Sequence, residues 1–152
     1  MNTLTGRIPY NSRSLDLGFY EMLAPGCFTA SLNAGGANGD VIARLEHDSR
    51  WLLGRRSAGT LRLNDTPEAL TYEVDLPETQ AGADCMTSTA RGDLKNTSFC
   101  FYIENPEQDE TWSIDAAGNL MRTVLRAQIT EVSPVAEPAY PASSIEMEKE
   151  NA

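Results

Sequence analysis

Two small side chains with nucleophilic atoms, Ser98 and Cys100, lie two residues apart in a segment that alternates like a β-strand. Within residues 96–104 every second residue from Phe99 onward is apolar, which predicts one face packed on a core. The hydroxyl and the thiol then share the opposite face. Such a face is either a thinly covered side of a sheet or the floor of an active site. Which of the two applies depends on whether the chain supplies a general base and an orienting acid elsewhere.

The chain offers one candidate base and one favoured acid. His47 is the only histidine, and it continues the apolar side of a predicted strand. Glu131 does the same in the last long strand, where a carboxylate needs a partner. A hydroxyl, an imidazole and an orienting acid are the groups of nucleophilic acyl transfer. The residues alone also fit a structural interpretation, with a hydrogen-bonded core histidine and Glu131 paired with Arg44 or Arg126.

Several other site classes are disfavoured or excluded. The chain has no Gly-x-Ser-x-Gly segment, which disfavours the α/β-hydrolase type of serine site. The three cysteines, Cys27, Cys85 and Cys100, contain no Cys-x-x-Cys pair, so neither a disulfide framework nor a zinc site follows. A single histidine excludes multi-histidine metal sites. Counting leaves a carboxylate-rich magnesium or calcium site open, but no Asp-x-Asp-x-Asp loop is present, and we predict neither metal nor cofactor.

Composition limits the partners. The chain has 152 residues, 41% of them hydrophobic and 22% charged, which is typical of one globular domain. The net charge of −10 argues against nucleic-acid binding, because that binding depends on Lys and Arg. No apolar run reaches the roughly 18 residues of a membrane span. The first residues lack the apolar region of a signal peptide, so we expect no secretion. The odd number of cysteines, without a Cys-x-x-Cys pair, indicates a reducing compartment.

Alternating patterns dominate the chain and are broken by turn residues. They predict strands over residues 6–10, 19–23, 41–47, 51–54, 60–64, 69–75, 96–104, 111–114 and 120–135, and helices over 27–32 and 79–91. The predicted fold class is therefore mostly β (α+β), a small closed or partly open barrel, or a sandwich, with a few flanking helices. Residues 1–141 would form a single domain, and 142–152 a flexible acidic tail.

Four segments in chain order carry a further pattern. They are EMLAPGCF at residues 21–28, LEHDSRWLLGR at 45–55, GDLKNTSFCF at 92–101 and EVSPVAEPAYP at 131–141. Their order resembles that in the tailed-phage prohead (procapsid) maturation proteases, serine peptidases that are distantly similar to the herpesvirus assemblins. Each segment alone is weakly specific, but four in this order are considerably more so.

The resemblance implies roles for particular residues. Ser98 would be the nucleophile, His47 the general base and Glu131 the third member, with Glu137 and Asp48 as rivals for the last role. The implied fold is a herpesvirus-protease-like barrel. The implied reaction removes the scaffold or an N-terminal segment of the major capsid protein, and cleaves the protease itself. It would take place inside the assembling procapsid in the host cytoplasm, and the assemblins suggest a homodimer by analogy.

Two departures from the family pattern keep alternatives open. Cys100 stands where glycine is common, and the chain starts almost at the first predicted strand, which would then be short or missing. Both departures motivate a catalytically inactive, protease-like capsid assembly factor. A cysteine peptidase that uses Cys100 with His47 is a further alternative, because Ser98 and Cys100 share a strand face.

Overall fold

The computed structural model describes residues 2–148, which form eleven strands, three α-helices and a 3-10 turn at Arg56–Ala58. The strands are β1 (Thr3–Pro9), β2 (Tyr20–Leu23), β3 (Ile42–Arg44), β4 (Leu52–Arg55), β5 (Leu61–Asp65), β6 (Ala69–Asp75), β7 (Asn96–Tyr102), β8 (Glu110–Ile114), β9 (Leu120–Val124), β10 (Gln128–Val135) and β11 (Ser144–Met147). The helices are α1 (Thr29–Asn33), α2 (Gln80–Arg91) and α3 (Pro106–Asp109).

The strands pair into three sheets. The first has the order β11-β1-β6-β5 and is antiparallel throughout. The second, β4-β3-β10-β7, contains the parallel pair β3 and β10, and the third, β2-β9-β8, contains the parallel pair β2 and β9. The mostly β class is confirmed. Among residues 2–148 none of the sheets closes into a barrel, so the predicted barrel is not confirmed.

The first and second sheets are joined through a buried tyrosine. Gly6 of β1 lies opposite Tyr72 of β6, and a Cβ atom at Gly6 would lie 2.2 Å from the tyrosine ring. Only glycine leaves room for the ring there. The Tyr72 hydroxyl is hydrogen-bonded to Thr97 Oγ1 of β7 at 2.7 Å. This bond fixes the start of β7 against the first sheet.

Aromatic side chains form the part of the core beneath β7. Phe99 packs edge-on against Phe28, with ring centroids 5.9 Å apart, and Phe101 stacks on Phe99 at 5.6 Å. Tyr140 closes the other side of Phe99 at 5.3 Å. The predicted apolar face of this strand is therefore the core face, and it holds the opposite face of β7 in a fixed orientation.

The predicted long helix is confirmed over Gln80–Arg91. Thr79 caps its N-terminus by accepting a hydrogen bond from Gly82 N, and Gly92 ends it with a φ of 84°. Helix α1 begins at Thr29, two residues later than predicted. No helix within residues 2–148 has the length and apolar character needed to cross a membrane.

Three sequence predictions about secondary structure need correction. The strand predicted over 41–47 ends at Arg44. The ladder predicted over 120–135 is two strands, β9 and β10, in different sheets. Within the predicted flexible tail, β11 pairs with β1, because Ile145 is buried against the core. Residues 149–152 of that tail lie outside the described residues, and the domain boundary at 141 stays a prediction.

Candidate functional site

The outer face of β7 and β10 carries the candidate nucleophiles and the candidate acid. In the antiparallel register Ser98 lies opposite Ser133, and Cys100 lies opposite Glu131. Side chains of directly opposite residues are neighbours on one face of a sheet. Because Phe99 between them is buried, Ser98 and Cys100 point away from the core, with Ser98 half-buried and Cys100 exposed.

A β-bulge puts Glu131 on this face. The register shifts between Ile129, which pairs with Phe101, and Glu131, which pairs with Cys100. Ile129 therefore faces the core, whereas Glu131 faces outward, a re-aiming that bulges commonly produce. The prediction that Glu131 continues the apolar side of the last long strand is therefore wrong. Glu131 is nevertheless buried, because polar side chains cover it.

His47 lies in a turn rather than in a strand. Glu46 and His47 have φ values of 55° and 54°, in the left-handed region that non-glycine residues rarely adopt. Two hydrogen bonds hold the turn against β10: Glu46 N donates to Pro134 O at 2.9 Å, and His47 N donates to Ser133 Oγ at 2.8 Å. The His47 side chain is 35% exposed, so the prediction that it continues the apolar side of a strand is wrong.

The turn brings the His47 ring against Glu131. Nδ1 of His47 and Oε2 of Glu131 form a short hydrogen bond. The other carboxylate oxygen, Oε1, accepts from the Arg44 guanidinium at 2.5 Å. Both sequence alternatives for Glu131, a pair with His47 and a pair with Arg44, are thus present together. Since Nδ1 is occupied by Glu131, Nε2 is the ring nitrogen left to exchange a proton with a substrate or nucleophile.

The contacts between His47, Glu131 and their neighbours shift the pKa values of His47 and Glu131 in the directions that favour an ion pair between them. The Cys100 thiol and the Glu131 carboxylate raise the pKa of His47 to about 10, against a smaller opposing effect of burial. Burial of Glu131 favours its neutral form, but hydrogen bonds from His47 and Arg44 outweigh burial and lower the pKa of the carboxyl. Glu131 is therefore a carboxylate at neutral pH, as an orienting acid must be.

The two candidate nucleophiles, Ser98 and Cys100, differ in their contacts with the His47 ring. Cys100 Sγ lies 3.6 Å from His47 Nδ1 and 3.5 Å from Glu131 Oε2. Within residues 2–148, Ser98 Oγ forms no hydrogen bond with the His47 ring. Ser98 lies instead across from Ser133, the residue that binds the His47 amide.

Of the two rival acids, Asp48 is paired with another residue and Glu137 is exposed. Asp48 accepts two hydrogen bonds from the Arg50 side chain, at 2.7 and 3.1 Å. Glu137 is exposed. In the described part of the chain, Glu131 is the acid of these three that contacts His47.

Ser133 and Arg44 were not among the predicted site residues. Ser133 Oγ donates to the Arg44 carbonyl oxygen at 2.6 Å while it accepts from His47 N, so it joins the end of β3 to the His47 turn. A signal for Ser133 was available, because it follows Glu131 by two residues and so shares its face. The sequence indicates Arg44 only as a structural partner for Glu131.

The same cluster offers three metal-ligating atoms. His47 Nδ1, Cys100 Sγ and Glu131 Oε2 all lie within 4.8 Å of one another. Sequence spacing gave no indication of such a cluster, because its members come from a turn and two strands that are distant in the chain.

A second buried polar cluster joins the first and last of the four sequence segments. Glu21 of β2 is buried and accepts hydrogen bonds from the Tyr140 hydroxyl at 2.5 Å and from Arg122 at 3.0 Å. Arg122 is also paired with Glu110. This cluster ties β2 and β9 to the segment after β10, and none of these bonds involves Ser98, His47 or Glu131.

Comparison with known proteins adds one match. The family model described as caudovirus prohead serine protease matches residues 5–152, nearly the whole chain. Neither the comparison with curated proteins nor that with solved structures gave a match.

Proposed function

The chain belongs to the caudovirus prohead serine protease family, whose members act in capsid maturation, and we propose that Ser98, His47 and Glu131 form its catalytic triad. The proposed reaction is endoproteolysis through an acyl-enzyme. The likeness to the herpesvirus assemblins stays a prediction from the order of the four segments.

The observation that carries the proposal is the bond between His47 Nδ1 and Glu131 Oε2. In a serine protease the acid binds one ring nitrogen of the histidine, which fixes the tautomer and leaves the other nitrogen as the base. Glu131 meets this requirement, and its second oxygen is held by Arg44, so the carboxylate itself is fixed. Ser98 lies on the same sheet face, across from the residue that anchors His47.

The same bond argues against Cys100 as the nucleophile. A ring nitrogen has one in-plane position for a proton or a lone pair, and on Nδ1 that position is taken by Glu131. Cys100 contacts this committed nitrogen rather than Nε2. A thiol placed there has no free base to which it can transfer its proton.

In the proposed mechanism substrate binding brings Ser98 Oγ and His47 Nε2 into hydrogen-bond contact, since such contacts often tighten only in the complex. Ser98 Oγ attacks the scissile carbonyl carbon as Nε2 takes its proton, and Glu131 stabilises the resulting imidazolium. The imidazolium then protonates the leaving amine as the C–N bond breaks. Water, deprotonated by His47, hydrolyses the acyl ester and regenerates Ser98.

The proposed substrates are the major capsid protein, through its N-terminal scaffold segment, a separate scaffold protein, and the protease itself. Family membership implies action on capsid-related proteins inside the procapsid. The net charge of −10 favours basic scaffold segments over acidic ones and disfavours contact with DNA.

Co-expression with the cognate capsid protein tests the proposal. The wild-type chain should yield a shortened capsid subunit, and Ser98→Ala should abolish the cleavage while leaving the fold unchanged. A fluorophosphonate probe should label the wild type at Ser98 and leave Ser98→Ala unlabelled. Unchanged processing by Ser98→Ala would exclude Ser98 as the nucleophile. An unlabelled and inactive wild type would instead favour the assembly-factor alternative.

The contact between Cys100 and His47 keeps a cysteine peptidase as the second candidate. Alkylation of Cys100 distinguishes the serine peptidase from the cysteine peptidase, because a cysteine peptidase loses all cleavage when its thiol is blocked. Cleavage by Cys100→Ala would rule the second candidate out.

A further inference from the structure

We propose that His47 Nδ1, Cys100 Sγ and Glu131 Oε2 form a binding site for a zinc-type divalent cation, and that the bound ion switches the peptidase off. The inhibitory effect rests on the proposed function, whereas the binding itself does not. Two of the ligands are proposed triad members, and Cys100 is the additional one.

The spacing of the ligand atoms fits a tetrahedral ion. With Zn–S near 2.3 Å and Zn–N or Zn–O near 2.1 Å, sulfur should lie about 3.5–3.6 Å from each of the other two ligands. Cys100 Sγ lies 3.6 Å from His47 Nδ1 and 3.5 Å from Glu131 Oε2. Two of the three distances between the ligand atoms, from Sγ to Nδ1 and from Sγ to Oε2, therefore already match those around a bound ion.

The third distance, between Nδ1 and Oε2, is kept short by a hydrogen bond and must increase to admit the ion. The ion then replaces the proton that these atoms share. Arg44 keeps hold of Oε1, which leaves Oε2 for the metal. Binding releases two protons to solvent, one from the Cys100 thiol and one from the His47–Glu131 pair, because metals bind the deprotonated ligands.

The site is open to the solution. Cys100 is exposed and the His47 side chain is 35% exposed, so an ion can enter and keep a water molecule as its fourth ligand. A thiolate, an imidazole and a carboxylate together favour zinc over magnesium or calcium, which prefer oxygen ligands alone. The ligand set thus selects the metal class.

A metal on Nδ1 would stop the proposed reaction at its first step. A neutral imidazole with a metal on one nitrogen carries its proton on the other. Nε2 would then be a donor and could not accept the proton from Ser98. Glu131, bound to the ion, would also cease to orient the ring. Both consequences remove general-base catalysis without blocking the nucleophile itself.

Metal binding can be tested without proteolysis, in the tag-free Ser98→Ala chain titrated with Co²⁺. The expected result is a thiolate-to-cobalt charge-transfer absorption that saturates at one ion per chain and is displaced by Zn²⁺. Adding Cys100→Ala should remove the band and weaken Zn²⁺ binding, measured by calorimetry, by at least about tenfold, since even outer-shell changes cost 10–100-fold. Asp48→Asn is the matched control, because Asp48 is adjacent to His47 in sequence but is paired with Arg50.

Inhibition of cleavage by Zn²⁺ is then measured in the wild-type chain, which retains Ser98. Zn²⁺ should inhibit cleavage and a chelator should restore it, and the fold inhibition should drop in Cys100→Ala. A chain that cleaves but gives no charge-transfer band, or whose Zn²⁺ affinity is unchanged by Cys100→Ala, overturns the metal site. A chain that gives the band but never cleaves overturns the proposed function and leaves the metal site standing.

Discussion

The backbone amide of His47 is bound by the side chain of Ser133: His47 N donates to Ser133 Oγ at 2.8 Å. The same hydroxyl donates to the carbonyl oxygen of Arg44 at 2.6 Å. One fully buried hydroxyl therefore satisfies both backbone groups at the point where the chain leaves β3 and enters the left-handed turn. The position of the imidazole depends on this turn, so Ser133 acts as a positioning residue for His47.

Ser133→Ala should lower kcat more than it changes KM. The substitution leaves the His47 amide without a partner, which should reduce the free energy of unfolding by about 1–3 kcal/mol. It also frees the turn, and a displacement of about 1 Å in a catalytic group can cost on the order of 100-fold in rate. Steady-state cleavage of a peptide substrate and denaturant unfolding measure the two effects.

Ser113→Ala is the control for this variant, because Ser113 is an exposed serine on β8, away from the site. It should leave both kcat and stability near the wild-type values. A Ser133→Ala protein that is destabilised yet retains its kcat would show that the hydroxyl is only structural.

Glu131→Gln should lower kcat by roughly 10⁴-fold, the scale seen when the acid of a serine protease triad is replaced by its amide. The amide keeps the shape of the carboxylate but removes the charge that stabilises the imidazolium. The matched variants Asp48→Asn and Glu137→Gln remove the same charge from the rival acids and should retain most of the activity. A large loss in either of them, with Glu131→Gln active, would assign the third position differently.

Much of the scaffold could be predicted from the sequence, because local patterns determine it. Strand β6 coincides with the segment predicted over 69–75, and β7 begins at the predicted residue, Asn96. Helix α2 has its cap at Thr79 and its end at Gly92, both of which are local signals. In each of these elements the side-chain period and the terminal residues agree with the tertiary structure.

The orientation of the site residues could not be predicted in the same way. The left-handed turn at Glu46 and His47 contains neither glycine nor asparagine, the residues that most readily adopt this conformation. One local bond, from Asp48 N to Leu45 O, closes the turn, and tertiary bonds to β10 fix its position. The bulge beside Thr130 reverses the face of Glu131, and a period-two pattern cannot reveal one extra residue. The sequence therefore identifies His47 and Glu131 as candidates but predicts the wrong orientation for each.

Tyr140→Phe should destabilise the protein by about 1.5–3 kcal/mol, because its hydroxyl donates to the buried carboxylate of Glu21. Arg122 remains as a partner of Glu21, so the loss should stay within this range rather than unfold the domain. Urea unfolding measures the difference. Tyr102→Phe, at an exposed tyrosine of β7, should show almost no change. Equal stability of the two variants would mean that the Glu21 cluster does not depend on Tyr140.

The surroundings of His47 also determine how activity should depend on pH. Contacts with the Cys100 thiol and the Glu131 carboxylate raise the pKa of His47 to about 10. A general base works only in its neutral form, and a raised pKa means that this form becomes populated only as the pH increases. The value of kcat/KM reports the base of the free enzyme. It should therefore increase from neutral to alkaline pH, with a midpoint well above that of an ordinary histidine.

Cys100→Gly should move this rising limb to lower pH, because it removes one of the two side-chain contacts that raise the pKa of His47 and leaves Glu131 as the other. At neutral pH a larger fraction of the enzyme would then hold His47 in its neutral form, so the ratio of activity at pH 7 to the alkaline plateau should increase. The pH profile of kcat/KM for a peptide substrate measures both effects, with Ser113→Ala as the variant whose limb should coincide with that of the wild type. A Cys100→Gly limb at the wild-type midpoint would show that the thiol does not affect the protonation of His47.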